Sequence, residues 1–215
     1  MKRIMTVLAL AAFAASPAAG QWSGMPVWNS PKGGTGITIS GDYASINTDA
    51  GGGSAFGARA SLGLANLTLG AGIASWDSDV FADKVTSYGA NAGFRIIGGS
   101  LLPVAINLQA GVGRTGEINF GVDTSAVTTL TGALGLAVSV PTPGISIEPY
   151  LSLGLRRRSQ SGRSDSNFGW VLGANASFGM FGVHLAYDSE SLGGGSRSGI
   201  LGIGVHVALS APMGM

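Results

Sequence analysis

The chain contains no cysteine and little charge: Asp, Glu, Lys and Arg supply 11% of its 215 residues, against roughly a quarter in ordinary soluble domains. Without cysteine, neither a disulfide framework nor a thiolate metal site is open to it, and the fold stands without staples. So little charge leaves a water-exposed surface short of solvating groups. Long hydrophobic runs are missing as well. After residue 20 no stretch approaches eighteen consecutive apolar residues, which excludes a membrane-spanning helix. No basic patch is present to hold nucleic acid.

What is there begins with a secretory signal. Lys2 and Arg3 precede an apolar run from Ile4 to Ala15, and small residues follow from Ser16 to Gly20. This order predicts a signal peptide over residues 1–20, cleaved after Gly20 with Ala18 at the −3 position. Processing would leave 195 residues, enough for one domain. It would also shift the balance of 12 basic against 11 acidic residues to 10 against 11.

Strict alternation is the strongest pattern in the remainder. Leu102, Val104, Ile106, Leu108, Ala110 and Val112 fall on one face of an extended chain, with Pro103, Ala105, Asn107, Gln109 and Gly111 on the other. The same period of two carries Ile145 to Arg156 and Leu201 to Leu209, whereas a helix needs apolar residues three and four apart. Strands are predicted at 35–47, 53–64, 67–77, 85–97, 102–114, 125–140, 145–158, 167–179, 182–190 and 199–209. In hydrocarbon every backbone polar group must bond internally, so only a closed sheet can span with strands. The expected fold is all-β: a closed antiparallel transmembrane β-barrel of about ten strands, with eight as the alternative. Residues 21–34 form an irregular lead-in, a periplasmic tether or a partial plug, the barrel covers 35–209, and 210–215 is a tail.

The connections fall into two kinds. Ala65-Asn66, Gly98 to Leu101, Pro141 to Gly144 and Met180-Phe181 are short, while Thr48 to Gly52, Ser78 to Lys84, Thr115 to Thr124, Ser159 to Ser166 and Ser191 to Ser198 are longer and polar. Short turns at one end and long loops at the other are the asymmetry of outer-membrane barrels, with both termini periplasmic. Tyr43, Tyr88, Trp170 and Tyr187 share the apolar face near the long-loop end and suit an aromatic girdle, and Phe94 and Phe178 suit a second one. Trp76 falls on inward parity. Pro149, inside a strand, predicts a bulge. The glycine runs Gly51 to Gly53 and Gly193 to Gly195 read as flexible loop tips with no phosphate cradle.

With its signal peptide, alternating strands and Gly202-x-Gly204-x-His206-x-Ala208 terminal run, the chain resembles small outer-membrane β-barrel proteins of the OmpA-like and porin-like group over residues 35–209. The resemblance implies a bacterial outer-membrane location, contact with lipid and lipopolysaccharide, and assembly by a barrel-insertion machinery. It implies no shared active site. Members usually end on an aromatic residue in the last strand, whereas here Ser210 to Met215 trail beyond Leu209.

Inward parity holds Arg59, Asn91, Arg95, Asn107, Gln109, Glu148, Tyr150, Arg156, Asn175, His184, Asp188 and His206. Among them Arg59, Arg95, Asn107, Glu148, His184 and His206 sit near the short-turn ends and are expected to form one polar layer, with Glu148 paired to Arg95 or Arg59. Such a layer is either a structural lock or the constriction of a pore. His184 and His206 could bind a metal together, but zinc wants a third or fourth ligand, Asp188 and Glu148 are the only nearby candidates and nothing in the spacing is diagnostic, so neither metal nor other cofactor is expected. His184, Asp188 and Ser189 supply hydrolase residue types, but four residues of strand separate His184 and Asp188 by roughly 13 Å. No enzyme is expected. Arg156-Arg157-Arg158 with Arg163 and Arg197 make a basic loop end suited to a solvated surface or to lipopolysaccharide phosphates. The function expected is a narrow passive pore for small hydrophilic solutes, or else a non-conducting structural or surface-interaction barrel. A lumen or rim binding a small ligand is the third reading. Sequence does not set the oligomeric state.

Overall fold

Alternating side chains make an extended chain two-faced, and the computed structural model, which describes residues 22–26, 30–99, 102–119 and 124–209, closes those faces into a wall. Ten strands build it: β1 Gly36–Ile46, β2 Ser54–Leu64, β3 Leu67–Asp77, β4 Val85–Gly99, β5 Leu102–Thr115, β6 Thr128–Val138, β7 Ile145–Gln160, β8 Arg163–Phe178, β9 Phe181–Ser191 and β10 Arg197–Leu209. Each pairs antiparallel with its sequence neighbours, and β1 pairs with β10 from Ile37↔Leu209 to Ile46↔Ile200. That last ladder closes the barrel and removes the sheet's free edges. It also disposes of the eight-strand alternative.

The faces divide as the alternation requires. Along β9, Phe181, Val183, Leu185 and Tyr187 point out while Gly182, His184, Ala186 and Asp188 are buried inside. Large apolar residues cover the exterior on every strand, among them Ile39, Leu69, Leu108, Leu134, Leu172 and Ile203. Trp76 points inward and is fully buried, its Nε1–H donating to the Gly52 carbonyl at 2.9 Å. The predicted tip at Gly51 to Gly53 is therefore docked: Gly51 and Gly52 are buried, and the Thr48–Ala50 turn lies beside them.

Two local expectations change. Pro149 brings no bulge, since Tyr150↔Ala137 and Ile147↔Val140 keep one register across it. Proline has no N–H to give, so the ladder lacks one bond there while its register holds. The irregularity sits in β4, where the pairing shifts between Arg95 and Ile97 and both Ile96 and Ile97 face outward. The other change is at 159–166. Ser161 and Gly162 both adopt left-handed backbone, φ 46° and 79°, which makes a two-residue hairpin, so β7 and β8 run on past the other strands in place of a long loop.

The lead-in enters the barrel. Residues 30–35 pass the short-turn rim, and residues 22–26 lie high in the lumen, where Trp22, Ser23, Met25 and Pro26 are buried. The Ser23 N–H donates to Ser87 Oγ at 2.9 Å. This supports a plug over a periplasmic tether. The predicted signal peptide and C-terminal tail lie outside the described residues.

Candidate functional site

The lumen has two unlike halves. Toward the loop end it is packed with an apolar cluster of Trp22, Met25, Ile46, Trp76, Val85, Ile118, Val127 and Ile200 around small alanines. Ile118 and Val127 come from the β5–β6 connection, which folds over the mouth and carries a small ladder of Ile118–Asn119 with Thr124–Ser125. Beside this cluster lie four buried charges. Arg156 Nη1 sits 2.7 Å from Asp188 Oδ1 and 3.2 Å from Glu190 Oε2, and Arg158 Nη2 bonds the same Glu190 oxygen. Charges with so little water hold only because they neutralise one another.

Toward the short turns the lumen opens into a polar chamber of about 380 Å³. Five members of the predicted layer, Arg59, Asn107, Glu148, His184 and His206, line it. Asn107 accepts from Gln109 Nε2 at 2.9 Å. Arg95 departs from the layer. It lies at the rim, where Nη1 donates to the Lys32 carbonyl at 2.6 Å and Nη2 to Asn66 Oδ1 at 2.8 Å. Glu148 meets the lead-in: Lys32 Nζ stands 3.4 Å from its Oε2, and Ser30 Oγ donates to Oε1. The expected pairing of Glu148 with Arg95 or Arg59 thus gives way to one with Lys32, because the lead-in brings that lysine into the lumen while Arg95 stays at the rim and Arg59 meets Asp42.

His184 and His206 do meet, with 3.1 Å between their Nδ1 atoms. They do so as links in a longer chain. His184 Nε2 is 2.5 Å from Asp42 Oδ1, Arg59 Nε donates to Asp42 Oδ2 at 3.1 Å, and His206 Nε2 is 3.1 Å from Ser177 Oγ. Asp42 and Ser177 were not singled out from sequence, although alternation with outward Tyr43 and inward Asn175 puts both on the lumen face. No group of three or more metal-ligating side chains stands together among the described residues. Asp188 is taken up by Arg156, so the His184, Asp188 and Ser189 set does not assemble as a site.

No protein-family model matches the chain, and no curated protein matches it in sequence. Solved structures do match. The β domain of the Bordetella autotransporter BrkA superposes with a TM-score of 0.54 at 14% identity, covering 82% of this chain and 100% of that one. The fold is that of a bacterial outer-membrane β-barrel. Also similar, at lower TM-scores, are the N-terminal β-barrel domain of Pseudomonas aeruginosa OprF (0.42, 10% identity, 83% of this chain and 100% of that) and the Escherichia coli outer-membrane protease OmpT (0.41, 7%, 81% and 94%).

The exterior of this outer-membrane barrel suits lipid. Tyr43, Tyr88, Trp170 and Tyr187 all point outward near the loop end, with the Tyr43 and Phe56 rings tilted against each other at 5.0 Å and those of Trp170 and Tyr187 at 5.6 Å. Phe94, Phe178 and Phe181 face outward near the short turns. Leu, Ile and Val fill the band between, the apolar belt that a membrane-spanning barrel turns to hydrocarbon. The basic loop end is smaller than the sequence suggests. Arg156 and Arg158 turn inward to Asp188 and Glu190, leaving Arg157, Arg163 and Arg197 on the surface.

Proposed function

We propose that the protein is a stoppered outer-membrane barrel: a lipid-embedded chamber open on the periplasmic, short-turn side and sealed toward the loops, whose outward work is done by the loop surface. The observation that carries this reading is the loop-end packing. Trp22 and Met25 of the lead-in complete an apolar cluster around Trp76, and water does not thread a layer packed that way. Arg157, Arg163 and Arg197 then offer forked donors to the phosphates of lipopolysaccharide. Assembly would use the insertion machinery that barrels of this architecture require, with β10 as the terminal strand. The chamber itself favours a second reading, a narrow passive pore for small hydrophilic solutes that opens when the lead-in withdraws.

Planar-bilayer conductance of refolded protein tests this, beside a variant lacking residues 22–34. The stoppered barrel is expected to be silent, and the deletion to show discrete openings. Steady openings from the intact chain would establish the pore. Silence from both, with both folded, would place the seal in the loops and the charge cluster.

A further inference from the structure

The chain of contacts from Asp42 to Ser177 has a direction. Asp42 accepts from Arg59 and is an acceptor only, so the short contact to His184 Nε2 requires the proton on that nitrogen. A neutral His184 then presents a bare Nδ1, and His206 must supply the proton between the two rings from its own Nδ1. His206 Nε2 is left as a lone pair aimed at Ser177, whose hydroxyl donates to it. Arg59 Nη2, at 3.3 Å from His184 Nε2, is the longer contact and does not displace Asp42. Every bond in the series thus holds one proton.

The wall is hollowed to let these groups meet. Asp42, Gly204 and His184 occupy one row across β1, β10 and β9, and His206, Gly182 and Ser177 occupy the next row across β10, β9 and β8. Strands two apart stand roughly 10 Å from each other, so the outer members of each row touch only across a middle residue without a side chain. A Cβ at Gly204 would strike both His184 and Asp42, and one at Gly182 would strike His206. The far end of the relay is open. His184 and Asp42 are buried, whereas Ser177 and His206 are half-buried and face the chamber.

We propose that Ser177 is an activated nucleophile that takes the acyl group of a small uncharged ester inside the chamber, with His206 as its general base and His184 and Asp42 as positioning residues. A hydroxyl backed by an oriented imidazole is the arrangement that acyl transfer uses. The Ser177 proton passes to His206 Nε2 as the Oγ–C bond forms. The ester C–O bond breaks, and the leaving alcohol takes that proton. Water then repeats the sequence on the acyl-serine: its proton goes to His206, its oxygen to the acyl carbon, and Ser177 Oγ leaves and recovers the proton. Alcohol and carboxylic acid are the products. Asn175, two residues along the same strand and face, donates one amide hydrogen to Glu148 Oε1 at 3.4 Å and keeps its second for the developing oxyanion. Chamber volume limits the ester to a short one. The cations Arg59 and Lys32 are matched by Asp42 and Glu148, which favours a neutral substrate. This proposal needs the chamber but not the seal, so it survives a finding that the barrel conducts.

Diisopropyl fluorophosphate is small enough to enter, and its labelling of the full-length folded barrel in detergent tests the proposal. Oγ bonds to phosphorus, and fluoride leaves with the proton. Peptide mapping is expected to find one adduct on Ser177 and none on Ser40, Ser61 or Ser146 of the same chamber. Ser177→Ala should abolish it, and His206→Gln should slow it by about 100-fold, the usual reach of a general base. Asp42→Asn should slow labelling while the final yield stays complete, a split that a merely structural residue would not give. The gel shift on heating checks that each variant is folded. Folded wild type without the adduct, or labelled no faster than folded His206→Gln, overturns the proposal.

Discussion

Glu190 meets both buried arginines of β7, Arg156 and Arg158, through a single oxygen. Removing it strands Arg158 in a site with almost no water, and Glu190→Ala is expected to cost about 3–5 kcal/mol, the usual penalty for breaking a buried pair. Denaturant unfolding of the folded barrel in detergent measures this. The double variant Arg158→Met/Glu190→Leu should recover most of the loss, because it removes both charges together. Sequence parity puts Arg156 and Asp188 inside, yet it says nothing of which neighbour each meets. Asp42 and His184 stand 142 residues apart, and only the closing ladder between β1 and β10 brings them to one row. A parity argument sees one strand at a time, so the relay to Ser177 was out of its reach.

Elements were more legible than pairs. The starts and ends of most strands follow from alternation broken by Gly, Pro and Asn, because one face had to meet lipid and the other could not. The hairpin at Ser161-Gly162 was readable as turn chemistry, but the polar residues around it resembled a loop. They are polar because the two strands rise above the apolar band there: Arg163, Ser164, Asp165 and Ser166 are all exposed. The lead-in was ambiguous for a physical reason. It lacks any period, and its apolar residues are explained only by the hollow they fill. Trp22 is its largest anchor in the described residues, and its ring approaches β3 where Gly72 has no side chain. Trp22→Ala is expected to destabilise the barrel by about 3–5 kcal/mol, as other buried tryptophans do. A lower temperature for the gel shift, with the shift itself retained, is the readout.

The whole molecule presents its tryptophans to different media. Trp170 faces outward beside Tyr187, whereas Trp22 and Trp76 are buried in the lumen. In vesicles of brominated lipid, the Trp170→Phe variant in a Trp28→Phe background should lose most of the quenching, and Trp76→Phe in the same background should keep it. Equal quenching from both would contradict the assignment of faces. Closure adds a consequence of another kind. The residues that fill the lumen run directly into β1, and β1 forms the final seam with β10. The barrel is a noose tied in a cord and drawn tight around that cord's own leading end. Because the short-turn mouth stays open, that leading end can be drawn in or out with the knot still tied, so closing and filling are separable steps: a shut but unfilled ring should appear in folding as a distinct species that gains its seal later.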